Sequence, residues 1–97
     1  MKPFRWNHEK NAALKATRGV SFEEIVLAIE IGAVLDVVKH PNRGKYPNQL
    51  VFIVALDRYV HLVPYVEEAD YYFLKTIIPS RKATRDYLIG STPDETT

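Results

Sequence analysis

Lys75, Arg81, Lys82 and Arg85 crowd one stretch of the chain, the last three within five residues, and Ser80 stands directly before them. If a helix starts after Ser80, its first-turn N–H groups point to the same corner as these side chains, and that combination suits a phosphate. Arg81 and Lys82 are the candidates for stabilising charge on phosphoryl oxygens, with Lys75, Ser80 and Arg85 holding the backbone of a polyanion. Proton transfer needs a titratable partner, and His61 shares strand parity with Tyr59 and Tyr65. An imidazole beside cations is disfavoured in its charged form and is therefore available as a base near pH 7. The competing explanations are a solvated basic surface for the cations and a structural role for the histidine.

Other chemistry is poorly supplied. The sequence has no HxxxH pair, no carboxylates at metal spacing, no glycine-rich phosphate loop and no cysteine. It therefore predicts neither a metal nor a cofactor, and it excludes thiol catalysis. His8 and His40 lack ligand partners at useful spacing. With 97 residues, 46% of them apolar, and a net charge of +1, the chain suits one compact domain over residues 1–90, followed by a disordered tail over 91–97. The near-neutral balance means that any affinity for nucleic acid must come from local clustering. The first eight residues lack a signal-peptide apolar run, and the longest apolar run, residues 50–56, is too short to span a bilayer, so the expected location is the cytoplasm with no membrane contact.

The positioning elements follow from punctuation and periodicity. Phe4-Arg5-Trp6 reads as a short strand, and Asn7 as the cap of a helix that ends near Gly19. Ser21-Phe22-Glu23-Glu24 has the spacing of a capping box, and Phe22, Ile25, Val26 and Ile29 then form one apolar stripe. A strand over 33–38 follows, then a turn-rich loop. Residues 50–56 are continuously apolar, which places them in a central strand covered on both faces. Asp57-Arg58 is a two-residue hairpin turn lacking glycine, the return strand runs from Tyr59 to Val66, and the last strand spans 71–78 with Tyr71, Phe73, Lys75 and Ile77 on one face. Pro79 stops that strand and Ser80 caps a short last helix. The expectation is an α+β fold, with helices on one face of a mostly antiparallel sheet and Lys75 possible across from His61. Six tyrosines and four phenylalanines supply either base-stacking platforms, with Tyr71-Tyr72-Phe73 and Tyr59/Tyr65 foremost, or core pairs.

Two stretches taken together resemble a known family. Phe4-Arg5-Trp6-Asn7, Lys10-Asn11, Gly19 and Ser21-Phe22-Glu23-Glu24 are similar to the N-terminal signature of the BrnT-type toxins. Ile77-Ile78-Pro79-Ser80-Arg81-Lys82-Ala83-Thr84 is similar to their C-terminal strand-to-helix signature. The resemblance implies a RelE/ParE-like fold and metal-independent ribonuclease toxicity that inhibits translation. It also implies neutralisation by a ribbon-helix-helix antitoxin, with DNA contacted only through that complex. The chain has Arg18 where the family commonly has His, and Thr76 where it has an Arg on the last strand; His61 and Tyr59 have no matched counterpart. On this reading Arg81, Lys82, His61 and Tyr59 are the catalytic candidates, and Lys75, Ser80 and Arg85 the RNA-binding ones. The alternative is a non-catalytic module of the same fold that keeps the antitoxin-binding surface.

Overall fold

The computed structural model describes residues 2–89. The expected tail over 91–97 lies outside them. The order is β1 (Phe4–Arg5), α1 (His8–Arg18), α2 (Phe22–Glu30), β2 (Val34–Lys39), β3 (Leu50–Leu56), β4 (Tyr59–Glu67), β5 (Tyr72–Leu74), β6 (Ile78–Pro79) and α3 (Arg81–Thr84), which runs on into a π-helical turn at Arg85–Ile89. Among the described residues six strands form one sheet in the order β1-β5-β4-β3-β2, with β6 also paired to β4. All pairings are antiparallel except β1 with β5. The architecture is α+β. Among the described residues no helix is long and apolar enough to cross a membrane.

Local chemistry sets the two long helices. Asn7 Oδ1 accepts from the Lys10 N–H at 2.9 Å, and Gly19 closes α1 at φ 67, where a side chain would be strained. Ser21 and Glu24 form both halves of the capping box on α2. Asn11 joins the helices: its Oδ1 accepts from the Phe22 N–H at 2.8 Å and its Nδ2 donates to Glu23 at 2.8 Å. Phe22, Ile25, Ala28 and Ile29 of α2 then bury against Phe52, Val54, Val63, Tyr65, Leu74 and Ile77 of the sheet. Trp6 stacks on Phe22, and Phe52 on Tyr65 at a centroid spacing of 3.9 Å.

Two expectations need correction. The helices do not all lie on one face: Ala83 of α3 packs on Val51, Ile53 and Val60, the side of the sheet away from α1 and α2. The continuous apolar run of β3 requires this, because Val51 and Ile53 alternate with Phe52 and Val54 and would otherwise face water. Nor do residues 71–78 make one strand. Leu74 pairs with Tyr65, and Ile78 pairs with Leu62; between them Lys75, Thr76 and Ile77 face only Val63 and Pro64. Pro64 has no N–H, and its carbonyl accepts from Lys75 at 2.8 Å, so the donor missing from the ladder is one that would have pointed at the same strand. The chain bulges there by one residue, and Ile77 turns to the face of Leu74 instead of that of Phe73.

The junction through Asn11 gives a direct test. Asn11→Ala leaves the buried Phe22 N–H without an acceptor and is expected to lower stability by about 1–3 kcal/mol, read as a lower urea midpoint at unchanged slope. An unchanged midpoint would remove Asn11 from this role.

Candidate functional site

The hairpin between β3 and β4 and the end of α1 enclose a cavity of about 220 Å³, whose walls include Arg18, Glu24, Asp57, Tyr59, His61 and Pro79. Asp57 and Arg58 make the turn at φ 55 and 65. Both are in the left-handed region that type I′ turns demand and that non-glycine residues adopt at a cost of about 1–2 kcal/mol each. That geometry matches the twist of the strands and sets Asp57 at the mouth, two residues before Tyr59 and four before His61.

His61 is 8% exposed. Its Cα partners are Val54 on β3 and Pro79 on β6, so the expectation that Lys75 lies across from it is corrected. The β4–β5 register sets Lys75 beside Pro64, three residues from His61 and of the opposite strand parity, and its Nζ rests 5.4 Å from the Phe73 ring. Burial pushes the His61 pKa below its ordinary value; the Tyr59 backbone and the charges of Asp57 and Glu24 oppose this without reversing it. Nδ1 is buried and has no partner at hydrogen-bond geometry. The ring of Tyr59 meets the imidazole edge-on, with centroids 5.8 Å apart. The result is a neutral imidazole beside a phenol.

Arg18 supplies the cation. Its Nη1 donates to the Ile77 carbonyl at 2.6 Å, which fixes the guanidinium from α1 to the bulge and leaves further N–H groups on the same fork. Among the described residues it makes no ion pair with a carboxylate. Arg18, Glu24 and Asp57 carry the electrostatics of this cavity and were not sequence candidates. Each sits in a feature with an adequate local explanation: a helix end, a capping box and a turn.

The cationic stretch lies elsewhere. None of Lys75, Ser80, Arg81, Lys82 and Arg85 is a wall of the His61 cavity, and α3 packs on the opposite face of the sheet. Lys82 Nζ pairs with Asp86 at 2.9 Å and Arg85 Nε approaches it at 3.8 Å; the Lys82 hydrogen bond is the main reason the Asp86 carboxyl titrates below its usual value. The Ser80 hydroxyl accepts from the Ala83 N–H at 3.0 Å, so it serves as a cap. Arg81 is exposed and follows Pro79, a wall residue, by two positions. Among the described residues no group of three or more His, Cys, Asp or Glu is placed to hold a metal ion. A larger cavity, about 510 Å³, opens at the β1 edge with mainly aromatic walls.

No protein-family model, curated protein or solved structure matches the chain.

The depressed His61 pKa fixes a pH dependence. The unfolded chain takes up this proton near pH 6.5 while the folded chain resists it, so the folded state loses stability as pH falls below that value and keeps its full stability above it. The urea midpoint of the native chain is expected to fall between pH 7 and pH 5 by more than that of His61→Gln, since His8 and His40 are common to both. Parallel profiles would contradict the burial argument.

Proposed function

We propose that the chain is a metal-independent endoribonuclease, the toxin of a toxin–antitoxin pair similar to the BrnT-type toxins with their RelE/ParE-like fold, and that His61 is its base. The observation that carries this reading is a buried imidazole, held neutral, in one cavity with Tyr59 and a fixed guanidinium, Arg18. His61 takes the proton from a ribose 2′-hydroxyl as that oxygen attacks the adjacent phosphorus. The bond from phosphorus to the 5′ oxygen breaks, a 2′,3′-cyclic phosphate forms, and the leaving oxygen takes a proton from the Tyr59 hydroxyl. Arg18 stabilises the charge that builds on the phosphoryl oxygens, a task that grows in value where water is excluded. Arg81 and Lys82 then act on the RNA backbone outside the cavity.

A protein partner belongs to the same proposal. Leu27 of α2 is 62% exposed, and Ile31, four residues on at the helix's C-cap, is 81% exposed. Leu35 and Val37 are exposed on β2, which ends the sheet order. An apolar surface beside a free strand edge favours a covering partner, and the resemblance supplies a ribbon-helix-helix antitoxin, DNA contact through the complex, and a cytoplasmic setting. That surface also favours the second reading, a non-catalytic module, as does Thr76 at the position of the family's strand arginine.

Purified partner-free protein decides between them. The native chain is expected to cleave single-stranded RNA, with His61→Ala slower by about 10²–10⁴-fold and an acid limb of activity below pH 6.5. RNA left intact by the native protein, with a partner still tightly bound, selects the module.

A further inference from the structure

We propose that the cavity at the β1 edge is a base-stacking subsite for single-stranded RNA, separate from the His61 cavity. The identity of the ligand rests on the ribonuclease reading; the site itself rests on the geometry of β1 and β5. Strand alternation sends Tyr72 and Leu74 toward the helices and leaves Tyr71, Phe73 and Lys75 on the other face, with Arg5 registered opposite Phe73. On that face the α3 cluster comprises Val51, Ile53 and Val60 with Val38 and Leu62 beside them, and includes no residue of β1 or β5. Phe4, Arg5, Trp6, His8, Tyr71 and Phe73 line its cavity of about 510 Å³.

Three features point to a planar, anionic ligand. The Arg5 guanidinium lies 4.9 Å from the Tyr71 ring centroid and Lys75 Nζ 5.4 Å from that of Phe73, so each aromatic face carries a cation. Neither cation is in an ion pair with a carboxylate among the described residues, so both are available to phosphate. The Trp6 indole, stacked on Phe22, forms part of the same wall and adds a further aromatic surface. Tyr71 and Phe73 are half-buried, and aromatic faces interleaved with cations are how strands of nucleic acid are held without sequence readout. Tyr65, by contrast, is buried against Phe52, and Tyr72 packs with Phe4 and Phe52. Phe73 pairs with Val66, five residues along β4 from His61, or roughly 17 Å at the rise of a strand. Phe73 faces the α3 side of the sheet and His61 the side of α1 and α2, so a strand bound here has to pass round the sheet, a path of several nucleotides, to reach the scissile phosphate.

Trp6 is the single tryptophan and reports on this site directly. A fully 2′-O-methylated single-stranded oligonucleotide, which the proposed chemistry cannot cleave, is titrated into the full chain. Saturable change in Trp6 emission is expected. Tyr71→Ala and Phe73→Ala are each expected to weaken binding by about 5- to 150-fold. Arg5→Gln, at an exposed position that folding does not need, is expected to reduce the salt slope by about 0.7. Absence of oligonucleotide binding, binding that leaves Trp6 emission unchanged at saturation, or binding indifferent to both Tyr71→Ala and Arg5→Gln would overturn the proposal. Cleavage of unmodified RNA is scored separately, so a chain that binds through Trp6 without cutting keeps the stacking subsite and loses the ribonuclease reading.

Discussion

Pro64 sits inside β4 with no N–H to offer the strand beside it, and much of the candidate site depends on that missing donor. The ladder between β4 and β5 cannot continue past it, so the neighbouring chain bulges by one residue at 75–77. The slip returns Ile77 to the buried face and leaves its carbonyl to accept from Arg18. It also sets Pro79 opposite His61. A regular strand in the original register would have turned Ile77 away from the core and placed a different residue against the imidazole. One residue's inability to donate thus couples packing, the anchoring of a cation and the wall of a cavity.

His61 is the second constraint, and it acts through desolvation. A histidine shielded by β4, β6 and the end of α1 takes up a proton reluctantly, and its unpartnered Nδ1 offers the proton no fixed bond in compensation. The negative charges of Asp57 and Glu24 pull the other way without reversing the shift. The turn that carries Asp57 is itself held in the left-handed region at two non-glycine positions. Strain of this kind persists where surrounding structure over-determines it, and here the paired strands β3 and β4 supply that determination.

Much of the fold was legible because its signals are local. Asn7, Gly19 and the Ser21/Glu24 pair announce helix ends through hydrogen bonds made within four residues, and the period-2 and period-3.6 patterns of β4 and α2 mark what they bury. The doubly apolar β3 requires a cover on the second face, and α3 supplies it. What stayed hidden depends on register between distant segments. The bulge is set by Pro64 acting on a strand eleven residues later, and the approach of Arg18 to His61 joins a helix end to a strand with a whole helix and two strands between them. The cationic run from Lys75 to Arg85 was the most conspicuous chemical signal, and it is divided: Lys75 lies on an aromatic ring, Lys82 and Arg85 share Asp86, Ser80 caps a helix, and Arg81 is exposed two positions beyond the wall residue Pro79. Tyr71 and Phe73 show the opposite case, since their stacking and core readings look identical in sequence and only the open face beside α3 separates them.

On the proposed reading the two cavities divide the labour, with proton transfer at the hairpin end of the sheet and strand holding at the β1 edge. The first is the central claim, and the chemistry of the ends left on cut RNA tests it most directly. Purified chain, free of partner and in the presence of a chelator, is incubated with single-stranded RNA and the termini are mapped. Attack by the 2′-hydroxyl predicts 2′,3′-cyclic phosphates facing 5′-hydroxyl ends. Products bearing 3′-hydroxyl and 5′-phosphate ends, or RNA that remains intact, would contradict it.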